Sequence, residues 1–158
     1  MSGILDARPK IGYFYSGVDK ASLAGERIRN KTVGELMSVP ALANEQMSIA
    51  DGIVQLFMAD AGSLFVINTD RKLVGVVSRK DFLKFAISEG NLHELPINMV
   101  MTRMPNLITL TEDDSLIHAA HQIINHEVDS LPVLRGEEVV GRISKTTITA
   151  FFLEITED

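Results

Sequence analysis

The chain has 158 residues, 46% of them apolar, enough to bury a core as one domain or as two small intertwined ones. Fifteen Lys and Arg stand against 21 Asp and Glu, a net charge of −6, so nothing points to a nucleic-acid surface, and DNA contact is expected only through a domain absent from this chain. Cysteine is absent, which excludes disulfides and thiol chemistry, and no apolar run approaches the roughly 18 residues of a membrane span, so the chain reads as cytoplasmic, with no signal peptide or membrane partner.

In chain order, residues 1–30 match nothing later in the sequence. Ile11–Tyr15 reads as a short aromatic strand between turns at Pro9 and Ser16-Gly17, and Val18–Asn30 as a helix covering a neighbouring face. A lone aromatic strand needs a partner sheet, so Met1 is either the native start or a start inside a longer protein. The segment is expected to serve as linker and partial dimer cover, without DNA affinity of its own.

From Thr32 onward the sequence repeats itself. Thr32–Met37 is a short helical turn stopped before Pro40. Ser48–Ala61 is an amphipathic helix with Ile49, Ile53, Leu56 and Phe57 on one face. Leu64–Ile67 and Lys72–Val77 are strands joined by the turn Asn68-Thr69-Asp70-Arg71, and Ser78–Ser88 is a second helix closed near Gly90. Ile97–Met101 then matches Val33–Met37, and Leu116, Ala120, Ile123 and Ile124 match the first helix face. Leu131–Leu134 with Glu138–Ile143 repeats the strand pair, and Ser144–Leu153 repeats the last helix. Each unit alone is too small to bury its sheet, so the two are expected to pack sheet to sheet about a pseudo-twofold axis. The expected division is 1–30, 31–90 and 91–158.

The junction Gly75–Asp81 carries the chemistry. A strand runs directly into a helix, with the hydroxyl of Ser78 and the carboxylate of Asp81 at the helix start. Locally this is a capping box, a spacing repeated at Ser48-x-x-Asp51 and Thr111-x-x-Asp114. Its twin, Gly141–Thr147, preserves Gly141 and Ser144 but puts Thr147 where Asp81 stands. Capping and ligand binding both remain open for Asp81 at this point.

The duplicated pattern resembles a tandem pair of CBS domains (a Bateman module). The residues that carry it are Val33–Ser38 and Ile97–Thr102 as lead-in segments, Ser130-Leu131-Pro132-Val133 before the strand pair, and Gly75-x-x-Ser78-x-x-Asp81 as the ribose motif. The aromatic Lys10–Gly17 stretch resembles the junction in bacterial winged-helix/CBS repressors of gluconeogenesis genes. The resemblance implies an α/β (α+β) fold of two β-α-β-β-α repeats, forming homodimers and sensing an adenine nucleotide (ATP, ADP or AMP). It implies Asp81 with Ser78 on the ribose, and Thr102, Leu107, Ile108, Val128, Asp129 and Ser130 around the adenine. Arg79, Arg103, Arg142 and Lys145 are the candidate phosphate cations. Related modules often carry His or Arg where Asp129 and Ser130 stand, so a magnesium ion is the implied bridge from Asp129 to a polyphosphate. With Thr147 in place of a carboxylate, the twin site, left with Ser38, Ser63 and Ser144, is expected to be weak or empty.

His118 and His121 lie three apart on one helix, and without a third ligand they read as a solvated face; His126 reads as a partner of the helix dipole. Met37, Met47, Met58, Met99, Met101 and Met104 read as core filler. No nucleophile–base constellation stands out, so the expected role is not enzymatic but that of the effector-binding part of a repressor. The alternative is the regulatory module of a metabolic enzyme or ion transporter sensing AMP or S-adenosylmethionine.

Overall fold

The computed structural model describes residues 25–27, 29–88 and 90–157. The aromatic strand expected at Ile11–Tyr15 and most of the helix expected at Val18–Asn30 lie outside the described residues.

The first half comprises α1 (Val33–Leu36), β1 (Leu42–Asn44), α2 (Ile49–Met58), β2 (Ser63–Ile67), β3 (Leu73–Ser78) and α3 (Arg79–Ala86). The second comprises a 3-10 turn (Ile97–Met99), β4 (Thr102–Arg103), β5 (Leu110–Thr111), α4 (Leu116–His126), β6 (Ser130–Arg135), β7 (Glu138–Ser144) and α5 (Lys145–Glu157). These strands form two sheets, β1-β2-β3-β4 and β5-β6-β7. No described helix is long and apolar enough to cross a membrane.

Local chemistry sets the boundaries. Ser48 Oγ accepts from Asp51 N at 3.1 Å to open α2, and Ser115 Oγ accepts from His118 N at 3.0 Å to open α4. Thr111 and Asp114, which share the capping-box spacing, instead close a turn ahead of α4: Thr111 N donates to Asp114 Oδ2 at 2.8 Å. Glu127, at φ 53°, ends α4 in the left-handed region. In the β2–β3 turn Asn68 Oδ1 accepts from Asp70 N and Lys72 N at 2.9 and 3.0 Å.

The lead-in segments exchange partners. Val33 is fully buried among Leu110, Leu116, Ile123, Val133 and Ile143, the core of the second half. Ile97 is fully buried among Ile49, Leu56, Leu64, Val77 and Phe82, the core of the first. The backbone bonds repeat the exchange: Leu116 N donates to Lys31 O and Ile49 N donates to Leu95 O, both at 2.9 Å. β4 pairs with β3 across the boundary, and Ser38 bridges Arg142 in the same way. Each exchange ends on a glycine whose missing side chain makes room for a thioether, Gly75 for Met101 and Gly141 for Met37. A third cluster, built on Phe65, Leu73 and Val139 with Leu134 and Leu107 against it, joins the two sheets face to face.

Several expected burials are corrected. Phe57 and Ile124 occupy matching helix positions yet are 82% and 71% exposed. Among the methionines, Met101 is buried, but Met58, Met99 and Met104 lie exposed on the surface. The last helix divides its apolar residues, with Phe151 buried and Phe152 and Leu153 facing outward as surface for a partner would.

Candidate nucleotide cleft

Where the two sheets meet, equivalent serines at the starts of β2 and β6 face each other, Ser63 Oγ and Ser130 Oγ 3.2 Å apart. A cleft opens beside this contact, with a volume of about 610 Å³. One wall is the β3–α3 junction with Val76, Ser78, Arg79, Lys80 and Asp81. Thr102, paired with Val76 on the neighbouring strand, lines the cleft too, as do Asn106–Ile108 and the turn after α4 with Val128, Asp129 and Ser130.

The junction is a capping box. Asp81 Oδ2 accepts from Ser78 N at 2.9 Å and from Ser78 Oγ at 3.1 Å, closing the first turn of α3. Asp81 Oδ1 takes no hydrogen bond from the described residues. An ionised carboxylate has acceptor capacity for about four bonds, so capping leaves roughly half of it open to a ligand. The two readings of Asp81 are therefore compatible. In the twin junction Ser144 and Thr147 share a hydroxyl contact of 3.0 Å, and Thr147 N donates to Ser144 Oγ at 3.2 Å. That pair satisfies the helix start but offers no charge to a diol.

A second cleft, of about 520 Å³, adjoins the first and is lined by Ser38, Asp60, Arg142, Ser144, Lys145 and Thr147 among others. Gly62, Arg79, Asp129 and Ser130 line both. Asp129 Oδ1 pairs with Lys145 Nζ at 3.0 Å, and Arg142 Nε donates to Ser38 Oγ at 3.3 Å.

Of the residues singled out from sequence, Ser78, Arg79, Asp81, Thr102, Leu107, Ile108, Val128, Asp129 and Ser130 meet in the first cleft. Arg142 and Lys145 line the second instead. Arg103 lines neither; it is exposed, and its Nη2 donates to Asn98 O at 2.6 Å. Ser63, expected in the twin site, lines the first cleft. Gly62, Lys80, Asn106 and Glu127 also line it and were not singled out, and His126, read from sequence as a partner of the helix dipole, lines it as well. Gly62 was findable, since it stands one repeat before Asp129 just as Ser63 stands before Ser130; Asn106 and Glu127 carry no such signal. His118 and His121 are exposed on α4, and no three His, Cys, Asp or Glu among the described residues are placed to hold a metal.

Residues 33–88 and 97–154 each match the family described as CBS domain. Over its full length the chain is 38% identical to the transcriptional repressor CcpN of Bacillus subtilis, spanning 76% of that protein. Among solved structures it resembles the CBS domain pair of protein MJ0100 in complex with 5′-methylthioadenosine and S-adenosyl-L-methionine. There the TM-score is 0.69 and the identity 26%, over 78% of this chain and 97% of that one. CBSX2 in complex with AMP shares the fold with a TM-score of 0.71 at 22% identity, over 80% of this chain and 98% of that one.

Proposed function

The chain belongs to the CBS domain family, carrying two copies, and from that premise we propose that it is the adenine-nucleotide-sensing module of a transcriptional repressor. One observation carries the reading: Asp81 lines a cleft of nucleoside size with one carboxylate oxygen engaged in capping and the other without a partner among the described residues. Vicinal ribose hydroxyls are two donors that an ionised carboxylate accepts as charge-assisted bonds. Leu107, Ile108, Val76 and Val128 supply apolar surface for a base, and Thr102 and Asn106 supply polar edges that orient it.

The relatives support this reading from two sides. CcpN is by name a transcriptional repressor, and MJ0100 and CBSX2 hold adenosine-containing ligands. The role is regulatory rather than catalytic, with ATP, ADP or AMP as effector and DNA bound through another domain. Asp129 is the carboxylate that would meet a magnesium ion arriving with a polyphosphate, a donor that suits this hard cation. Two copies of the chain form the working unit.

Calorimetric titration with ATP, ADP, AMP and S-adenosylmethionine tests the reading. Saturable binding of at least one of the three nucleotides is expected, tighter than that of the matching guanine nucleotide. Heats indistinguishable from dilution for all four compounds would overturn it.

A further inference from the structure

The two clefts share four wall residues but differ in charge. The first carries three carboxylates, Asp81, Glu127 and Asp129, against Arg79 and Lys80. The second carries three cations, Arg79, Arg142 and Lys145, against Asp60 and Asp129, and adds the hydroxyls of Ser38, Ser144, Thr146 and Thr147. A ribose held at Asp81 would leave its phosphates in the more acidic chamber unless they turn toward the second.

Resting on the nucleotide reading above, we propose that the second cleft is the phosphate chamber of the first, so that one nucleoside di- or triphosphate spans both. Three features support this. Arg79 lines both clefts and makes neither an ion pair nor a hydrogen bond with the described residues, which leaves its guanidinium available at the passage. Gly62 keeps the passage open: a Cβ there would lie 3.1 Å from Asp129 Oδ2 and 3.5 Å from Arg79 Nη2. Its φ lies outside the left-handed region, so the glycine is required for space rather than for backbone conformation. The twin junction, with Thr147 in place of a carboxylate, discards the group that recognises ribose and keeps hydroxyls, which donate to phosphate oxygens.

The consequence is a stoichiometry. One nucleoside triphosphate per chain fills both chambers, whereas adenosine fills only the first and leaves room for a free polyanion in the second.

Titration of the full chain with adenosine, ATP and inorganic tripolyphosphate tests this. Tripolyphosphate is expected to bind alone, to be displaced by ATP, and to bind undisturbed in the presence of saturating adenosine. Arg142→Gln and Lys145→Gln are each expected to weaken ATP and tripolyphosphate about ten- to a hundredfold while leaving adenosine affinity unchanged. Two ATP per chain, or tripolyphosphate that does not bind or that adenosine displaces, would overturn the shared chamber while leaving the nucleotide reading intact. Failure of ATP as well as adenosine to bind sinks the nucleotide reading, and the proposal with it; ATP that binds while adenosine does not overturns only the division of labour between the chambers. Should either variant fail to fold, the competition in the wild-type protein decides the matter alone.

Discussion

Asp81 Oδ2 closes the first turn of α3, and that use costs the carboxylate only part of its capacity. Asp81→Asn is therefore expected to lower stability by about 1 kcal/mol through the weakened cap, measured by denaturant melts without ligand. Thr147→Ala removes a hydroxyl contact from the twin junction and is expected to leave adenosine affinity where it was in calorimetry. Two carboxylates, the exposed Glu35 and the half-buried Glu112, contribute to the acid limb of stability. Bonds from Thr32, the backbone N–H first, hold Glu35 below the usual carboxylate range, and the Arg135 guanidinium does the same for Glu112. A depressed folded pKa contributes stability above the unfolded pKa that is lost as pH falls through the folded one. Melting temperatures should thus drop from about pH 5 downward, and the drop should be shallower in Glu35→Gln. At this scale the capped junction was legible, because a strand meeting a helix at Ser-x-x-Asp is a local pattern. The positions of Arg103 and Arg142 were not, since sequence spacing says nothing about which sheet edge a guanidinium will face.

The two halves differ in helix length and strand number but share an irregularity. Both strand pairs shift register at equivalent positions, between Val66 and Ile67 and between Val133 and Leu134. Periodicity made these helices and hairpins readable, since alternation in β3 and β7 buries every second residue. It could not reveal the exchange of lead-in segments, because a pattern of apolar residues states that Val33 and Ile97 are buried but not against which half. The same limit explains Phe57 and Ile124. They fall on the edge of the apolar stripe, where only the neighbouring packing decides whether a side chain is covered. The exchange makes a prediction of its own. Ile97→Ala empties a fully buried site in the core of the other half and should cost about 2–5 kcal/mol. Because each core holds a residue from both halves, denaturant melts should keep one transition, read alike by circular dichroism and by a probe in either half. Two separated transitions would show that the halves fold as independent units. Gly75→Ala should also destabilise, by about 1–3 kcal/mol, since Met101 occupies the space of the new methyl.

At the scale of the molecule the exposed apolar residues fall on helices of both halves. Val54, Phe57 and Met58 lie on α2, with Leu83 on α3 and Ile87 just beyond it, while Ile124 lies on α4 and Phe152 and Leu153 on α5. Phe57 matches Ile124 and Ile87 matches Leu153, so one chain offers two pseudo-equivalent faces that a second copy could cover by twofold symmetry. Sedimentation or light scattering at micromolar concentration should report a dimer, and Phe57→Ser with Ile124→Ser should shift it toward monomer. A monomer mass for the unaltered chain would remove this assembly. Just ahead of the first half, the Lys31 ammonium lies 5.4 Å from the Phe151 ring on the last helix of the second half. The most direct measurement concerns the ribose itself: calorimetric affinities of adenosine and 2′-deoxyadenosine for the wild-type chain and for Asp81→Asn. If the carboxylate accepts the hydroxyls, the wild type should prefer adenosine by about 1.5–3 kcal/mol, roughly ten- to a hundredfold, and the variant should lose that preference. The same preference in both proteins would show that the ribose is recognised elsewhere and that Asp81 serves only to cap its helix.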